Sequence, residues 1–165
     1  MTGAAGIEKT YLKVGGRWAY LYRAIDHDGN LVDVMLGEHR DMAAARAFFR
    51  SAKAATGATP DQVTTDGHGS YPRAIRGTLG RHVVHRTSAY KNNRLEQDHR
   101  GIKGRTRCMR GFKSFASAER FCRSYDELRN FLRPCTRHNQ YVSACRRRLL
   151  YLRRATSVLS ILDAA

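Results

Sequence analysis

Two short segments of the chain hold the residue types that phosphoryl-transfer chemistry with two metal ions requires. One is Thr65-Asp66-Gly67, where a carboxylate ends a short Val-Thr-Thr run, and the other is the stretch 92–103, which contains Glu96. Such chemistry needs carboxylates that hold two divalent cations about 3.5–4 Å apart beside the scissile phosphate. Mg²⁺ prefers hard oxygen ligands and takes only a few protein carboxylates. Asp66 and Glu96 are therefore candidate metal ligands.

Both candidates also have ordinary structural explanations. An Asp before a Gly is common in turns, so Asp66 alone fits a turn as well as a metal site. Glu96, Arg100 and Lys103 stand at i, i+4 and i+7 and therefore share one face of a helix. That face fits a metal-binding acid flanked by phosphate-binding cations, and it also fits an exposed ion pair.

The charge of the chain is strongly positive and unevenly distributed. Lys plus Arg number 30 against 14 acidic residues, which gives a net charge of +16. Residues 1–80 carry ten basic and eight acidic side chains, whereas residues 81–165 carry twenty and six. Arg supplies 24 of the 30 basic residues, which favours bidentate phosphate contacts. An Arg-rich solvated surface is the alternative, but an excess confined to one half favours nucleic-acid binding.

Turn signals and hydrophobic periodicity predict the secondary structure. Gly15-Gly16 and Asp28-Gly29 separate three runs rich in aromatic and aliphatic residues, which predicts an antiparallel meander. Asp41 is the predicted N-cap of a helix that ends near Gly57. The predicted strands cover residues 10–14, 18–25, 31–36, 62–66 and 82–85.

Caps and apolar stripes predict the later helices. Pro72 suits the first turn of a short helix, and Asn92 or Asn93 can cap the next one. Ser114 or Ser117 starts a further helix, whose predicted apolar stripe is Ala118, Phe121, Cys122, Tyr125, Leu128 and Leu132. Three antiparallel strands followed by alternating helices and strands is the order of an α/β, ribonuclease H-like fold. We expect a mixed five-stranded sheet with flanking helices.

The composition favours a cytoplasmic protein. No apolar run approaches the about 20 residues that a membrane span needs, and the first residues do not form a signal peptide. The four cysteines have no CxxC spacing, which favours reduced thiols over a zinc site or a disulfide framework. The seven histidines show no recurring ligand spacing either, so we expect no zinc.

Several sequence runs, taken in order, resemble bacterial insertion-sequence transposases. They are Tyr11-Leu-Lys-Val-Gly-Gly-Arg-Trp18, the run from Tyr20 to Asp26, Thr65-Asp66-Gly67, and the run from Asn92 to Glu96 with Arg110-Gly-Phe-Lys-Ser114 after it. More narrowly, residues 7 to 133 resemble the insertion-sequence-six family, which has a DDE catalytic core of the integrase superfamily.

The resemblance implies roles for particular residues. Asp66 matches the second catalytic acid, Glu96 the third, and Glu8 occupies the place of the first, so these three would be catalytic and would hold the metal. The implied cofactor is Mg²⁺ or Mn²⁺, with two ions. Nucleic-acid-binding residues are expected at Arg94, Arg100, Lys103, Arg105 and Arg107. The implied reaction is DNA cleavage at element ends followed by transfer of a 3′-hydroxyl end to target DNA.

The resemblance also implies partners and a location. The partner is double-stranded DNA, both transposon ends and target, and the active form is expected to be a homo-oligomer. No membrane is involved, and the location is the bacterial cytoplasm, in association with the nucleoid.

The chain departs from the family pattern at its N-terminal side. The family has Asp where this chain has Glu8, and the extra methylene shifts the carboxylate by about 1 Å, a misplacement that can cost about 10²-fold in rate. Family members carry a helix-turn-helix region upstream of the core. We therefore expect residues 1–133 to be a catalytic core without that region, N-terminally truncated, and residues 134–165 to be a basic helical extension. A non-catalytic, basic DNA-binding remnant of a transposase is the alternative.

Overall fold

The computed structural model describes residues 3–26, 30–88, 93–133 and 142–164, except for the side chains of Glu8 and of residues 93–98. The strands are β1 (Ala4–Val14), β2 (Arg17–Ile25), β3 (Leu31–Gly37), β4 (Gln62–Thr65) and β5 (Val84–Thr87). The helices are α1 (Met42–Thr56), α2 (Tyr71–Thr78), α3 (Asn93–Cys108), α4 (Phe115–Leu132) and α5 (Ala144–Asp163).

The five strands form one mixed sheet in the order β3-β2-β1-β4-β5. β1, β2 and β3 are antiparallel, whereas β4 pairs in parallel with both β1 and β5. Gly15 and Gly16 join β1 to β2 with φ angles of +54° and +82°, a left-handed conformation that glycine adopts without steric cost. The predicted meander and its Gly15-Gly16 turn are confirmed.

Helices cover both faces of the sheet, and each face has its own hydrophobic core. On one face, α1 and α2 pack Phe48, Phe49 and Ile75 against the sheet residues Ile7 and Val63. On the other face, α3 and α4 contribute a second cluster of buried residues. That cluster contains Leu12, Val14, Leu21, Ile102, Phe112, Ala118 and Cys122.

The predicted ends of α1 are confirmed. The Asp41 side chain accepts a hydrogen bond from the backbone N–H of Ala44, as an N-cap does. Gly57 follows the helix with a φ of +63°, and its N–H donates to the Lys53 carbonyl, which is the usual role of glycine after a helix C-terminus. Pro72 lies in the first turn of α2, also as predicted.

Three details of the sequence prediction are wrong. β1 begins at Ala4, six residues before the predicted start, because Ala4–Gly6 pair with β4 and Gly6 also pairs with β2. β5 covers Val84–Thr87 and not residues 82–85, because its register is set by pairing with Gln62–Thr65. Leu128 was expected on the apolar stripe of α4 but is 45% exposed.

α5 lies on the surface along its whole length. No residue of this helix is buried, and its apolar residues Leu159, Ile161 and Leu162 are more than half exposed. The Arg154 side chain donates hydrogen bonds to the carbonyls of Phe131 (2.7 Å) and Arg133 (2.8 Å). A cation in this position complements the negative end of α4. In the described part of the chain, no helix is both long and apolar enough to cross a bilayer.

Candidate functional site

The parallel pairing of β1 with β4 determines where Asp66 lies. Ala4, Ala5 and Gly6 pair with Gln62, Val63 and Thr64. Asp66 follows the last of these paired residues by two positions, and Lys9, the residue next to position 8, contacts its carboxylate. Asp66 itself follows the last residue of β4, so its carboxylate lies at the end of a buried strand, where the side chain is 34% exposed.

The Asp66 carboxylate has two close neighbours. Its Oδ1 accepts a hydrogen bond from the backbone N–H of His68 (3.3 Å), and its Oδ2 lies 3.6 Å from Lys9 Nζ. The Lys9 side chain is only 7% exposed. Burial lowers the pKa of Lys9, and the charge of Asp66 opposes that shift. Lys9 is therefore a buried counter-ion of Asp66.

The sequence reasoning missed this lysine, although the strand alternation contains the signal. Ile7, which is 2% exposed, and Lys9 are two residues apart and so lie on the same face of β1. A charged residue on the buried face of a strand needs a partner of opposite charge. Asp66 is that partner.

α3, which contains Glu96, crosses the sheet close to the same region. His99 in α3 is 7% exposed, and its pKa is lowered to about 3, first by burial and then by the charges of Arg23 and Lys103. Arg23 is the register partner of Glu8 across β1 and β2. Because Glu96 precedes His99 by three residues, less than one helical turn separates the two positions.

The connection between β5 and α3 also starts near Asp66. The Ser88 N–H donates to the Thr65 carbonyl (3.1 Å), so the chain leaves β5 beside the end of β4. These contacts bring positions 8 and 66 into one region of the fold, and the charge of Arg23 acts on His99 of α3. The side chains of Glu8 and Glu96 are outside the described residues. Among the side chains that are described, no group of three His, Cys, Asp or Glu could hold a metal ion.

Asp66 is the described residue of this region that could bind a divalent cation. Its carboxylate is a hard oxygen donor, the ligand type that Mg²⁺ prefers, and it is accessible to solvent. The Lys9 ammonium neutralises the same carboxylate, so a cation bound at Oδ2 would compete with it.

A buried ion pair holds α4 against the sheet next to this region. The Arg23 side chain is fully buried and Asp126 is 1% exposed. Arg23 Nε donates to Asp126 Oδ2 (3.1 Å), and Arg23 Nη2 donates to Asp126 Oδ1, so the contact is bidentate. The spacing of buried residues in α4 contains the signal, since Ala118, Cys122 and Asp126 recur every four residues.

The predicted nucleic-acid-binding residues of α3 differ in their surroundings. Lys103 and Arg107 are exposed and line a groove of about 770 Å³ beside the β1–β2 turn. Arg105 instead packs its guanidinium on the Tyr125 ring of α4, 5.0 Å from the ring centre. Arg100 is exposed, and the Arg94 side chain is outside the described residues.

Comparison with known proteins gives one matching family and several relatives. Residues 4–134, which are 131 of the 165, match the family described as a DDE domain (DDE_Tnp_IS240). The chain is 41% identical over 103 residues to the transposase for insertion sequence-like element IS431mec of Staphylococcus aureus (strain N315). The chain is also 41% identical over 103 residues to the transposase for insertion sequence element IS257 in transposon Tn4003 of Staphylococcus aureus. Each alignment covers 60% of this chain and 46% of the relative. The chain thus spans about half the length of the curated relatives it matches.

The fold has a counterpart among solved structures. A chain in the cryoEM structure of the simian T-cell lymphotropic virus intasome in complex with PP2A regulatory subunit B56 gamma aligns with a TM-score of 0.52 and 12% identity. The alignment covers 90% of this chain and 54% of that chain. Together with the strand order β3-β2-β1-β4-β5, this likeness confirms the predicted ribonuclease H-like α/β fold.

Proposed function

Since this chain belongs to the DDE transposases of the insertion-sequence-six family, we propose that it cleaves DNA and transfers DNA strands during transposition. The parallel pairing of β1 with β4 carries this proposal, together with the contact between Asp66 and Lys9, the residue next to Glu8. The charge of Arg23, which pairs with Glu8 across β1 and β2, acts on His99 of α3. Because Glu96 precedes His99 by three residues, this location of α3 supports Glu96 as the third member of the site.

The proposed site uses three carboxylates and a basic helix. Glu8, Asp66 and Glu96 would hold two Mg²⁺ or Mn²⁺ ions, which would supply charge stabilisation at the phosphate. Lys9 keeps the Asp66 carboxylate neutralised and oriented before the ions bind. The cations at Arg94, Arg100, Lys103, Arg105 and Arg107 bind the DNA backbone and hold the scissile phosphate in register.

The proposal extends to partners and location. The substrate is double-stranded DNA, both the ends of the mobile element and the target. The active form is a homo-oligomer, and the protein works in the bacterial cytoplasm at the nucleoid. The net charge of +16, concentrated in residues 81–165, supports DNA as the partner.

A nicking assay tests the proposed function. The full chain is incubated with supercoiled plasmid DNA in Mg²⁺, in Mn²⁺, or in EDTA, and nicked circles are measured on a gel. We expect nicking with either metal and none in EDTA. DNA binding without nicking in either metal would contradict the proposal and identify a non-catalytic binding remnant.

A second arm of this assay tests the role of Glu8. We expect Glu8→Asp to raise metal-dependent nicking by up to about 10²-fold, because it corrects a carboxylate displacement of about 1 Å. Glu38→Asp is the matched control, since Glu38 is exposed in the segment after β3. Equal nicking by the parent and Glu8→Asp would show that position 8 tolerates either acid. A fall in nicking would count against its assignment as the first acid.

The salt dependence of DNA binding tests the assignment of Lys103 and Arg107. Each neutralised phosphate releases counterions, so log affinity falls as log salt rises, and this negative slope should become less steep by about one for Lys103→Ala and by about one for Arg107→Ala. Arg50→Ala is the control, because Arg50 is exposed on α1, on the opposite face of the sheet. Slopes measured by fluorescence anisotropy with a labelled duplex that do not change in either variant would exclude these two residues as phosphate contacts.

A further inference from the structure

The groove beside the β1–β2 turn contains exposed aromatic residues among cations. Tyr11 is 55% exposed and Trp18 is 56% exposed, and their rings meet edge to face with centres 5.2 Å apart. Lys103 Nζ lies 4.5 Å from the centre of the Tyr11 ring, and Lys13 Nζ lies 5.8 Å from that of Trp18. Each ring is thus about half exposed to water and has an ammonium group over one of its faces.

The charge of the groove indicates the type of ligand. Its cationic lining residues are Lys13, Lys103, Arg107, Arg110 and Lys113, and the described residues of its lining include no Asp or Glu. Such a lining attracts a polyanion and repels another basic surface, including a second copy of this chain. Aromatic faces for stacking next to cations for phosphates are the features of single-stranded nucleic-acid binding sites.

Backbone contacts join the two walls of the groove. The Gly15 N–H donates to the Phe112 carbonyl (2.8 Å), and Val14 forms a bridge with Phe112. These contacts tie the β1–β2 turn to the connection between α3 and α4. A Cβ at Gly15 would lie 3.1 Å from the Lys113 carbonyl oxygen, so the close approach of the two walls requires glycine there.

The groove begins on β1 two residues after the lysine that pairs with Asp66. Tyr11 follows Lys9, the counter-ion of Asp66, by two residues of β1, which is about 7 Å at about 3.3–3.4 Å per residue. β4 pairs with β1 only over Ala4–Gly6, so this strand pairing leaves the edge of β1 near Tyr11 free. A DNA strand whose phosphate lies at Asp66 would therefore have its neighbouring nucleotides at Tyr11 and Trp18.

We propose that Tyr11 and Trp18 form a stacking platform for an unpaired nucleobase next to the scissile phosphate, while Lys13, Lys103 and Arg107 bind the adjoining phosphates. This inference rests on the proposed function. Bases inside a duplex are already stacked on each other, so only an unpaired or splayed base can offer a face to Trp18. The platform therefore favours DNA whose strands are separated at the cleavage point.

Trp18 is the only tryptophan of the chain, so its fluorescence reports directly on the platform. The full chain, in EDTA to prevent cleavage, is titrated with a single-stranded oligonucleotide, an abasic oligonucleotide of equal length, and a fully paired duplex. We expect saturable quenching by the first and little by the other two. The abasic strand, which has the same phosphates, should bind about tenfold more weakly because it lacks bases to stack.

Substitutions of Tyr11 test whether the affinity for single strands depends on the platform. We expect Tyr11→Ala to weaken single-strand binding about tenfold and abasic binding little, and Tyr11→Phe to restore single-strand affinity. Tyr151→Ala is the control, because Tyr151 is 48% exposed on α5. Equal quenching by the normal and abasic strands, or equal loss of both affinities in Tyr11→Ala, would overturn the platform. Quenching on concentrating the protein without DNA would identify a second copy of the chain as the occupant and would also overturn it.

The two proposals fail in different ways. Metal-dependent nicking without base-dependent quenching would reject the platform and leave the transposase function intact. Base-dependent quenching without nicking in either metal would support the platform and reject catalysis by this chain.

Discussion

Replacing Asp66 with Asn is expected to abolish metal-dependent nicking while leaving DNA binding within about twofold of the parent. Removing a residue that only hydrogen-bonds to a metal ligand costs about 10–100-fold in metal affinity or activity. Removing the carboxylate of the ligand itself should therefore cost at least about 10²-fold. Asn has nearly the same shape and keeps an oxygen that can accept the hydrogen bond from the His68 N–H. The substitution therefore keeps the side-chain shape and the hydrogen bond to His68, and it removes the charge that faces both the metal site and Lys9.

Two measurements separate catalysis from binding and folding. Nicking and anisotropy are measured on the same preparations, with Asp61→Asn as the control, since Asp61 is exposed just before β4 and five residues from Asp66. The control should nick DNA at the parental rate. Parental nicking by Asp66→Asn would remove Asp66 from the metal site. Equal loss in both variants would trace the effect to β4 as a whole and not to the Asp66 carboxylate.

Local patterns predicted much of this fold because local interactions form those parts. The Gly15-Gly16 turn needs left-handed backbone at both residues, and Asp41 caps α1 with its own side chain. The first residues of β1 were missed because the Ala-Ala-Gly segment has low strand propensity, and partners distant in sequence hold it in the sheet. The register of β5 depends in the same way on β4, which lies about twenty residues earlier.

In the candidate site, too, local features could be predicted from the sequence and long-range contacts could not. The position of Asp66 at the end of a short strand could be predicted from a short run of sequence, because the Val-Thr-Thr run is a local signal. The ion pair of Asp66 with Lys9 could not, since that contact needs the parallel pairing of two strands separated by 57 positions in the chain. The groove that brings Tyr11 next to Lys103 likewise depends on how α3 crosses the sheet.

The ion pair between Arg23 and Asp126 is another long-range contact, and its removal is expected to have the second large effect. Asp126→Asn should lower the free energy of unfolding by about 3–5 kcal/mol, because it leaves the buried Arg23 guanidinium without the carboxylate that accepts two of its hydrogen bonds. Urea denaturation followed by circular dichroism measures the change. Glu127→Asn, at the next and exposed position of α4, should stay within about 0.5 kcal/mol of the parent.

A loss of that size approaches the whole stability of a domain, about 5–15 kcal/mol, so the single variant can fail to fold. The double variant Arg23→Met/Asp126→Leu keeps the prediction testable, because it removes both charges and leaves apolar side chains of similar size. Replacement of a buried ion pair in this way is often neutral or stabilising by about 1–4 kcal/mol. We therefore expect the double variant to unfold at a higher urea concentration than Asp126→Asn. A double variant no more stable than the single one would show that the pair contributes through its geometry and not only through charge neutralisation.

Because Arg23 pairs with Glu8 across β1 and β2, nicking by a stable double variant would then report whether the Arg23 guanidinium also positions the first acid of the proposed site.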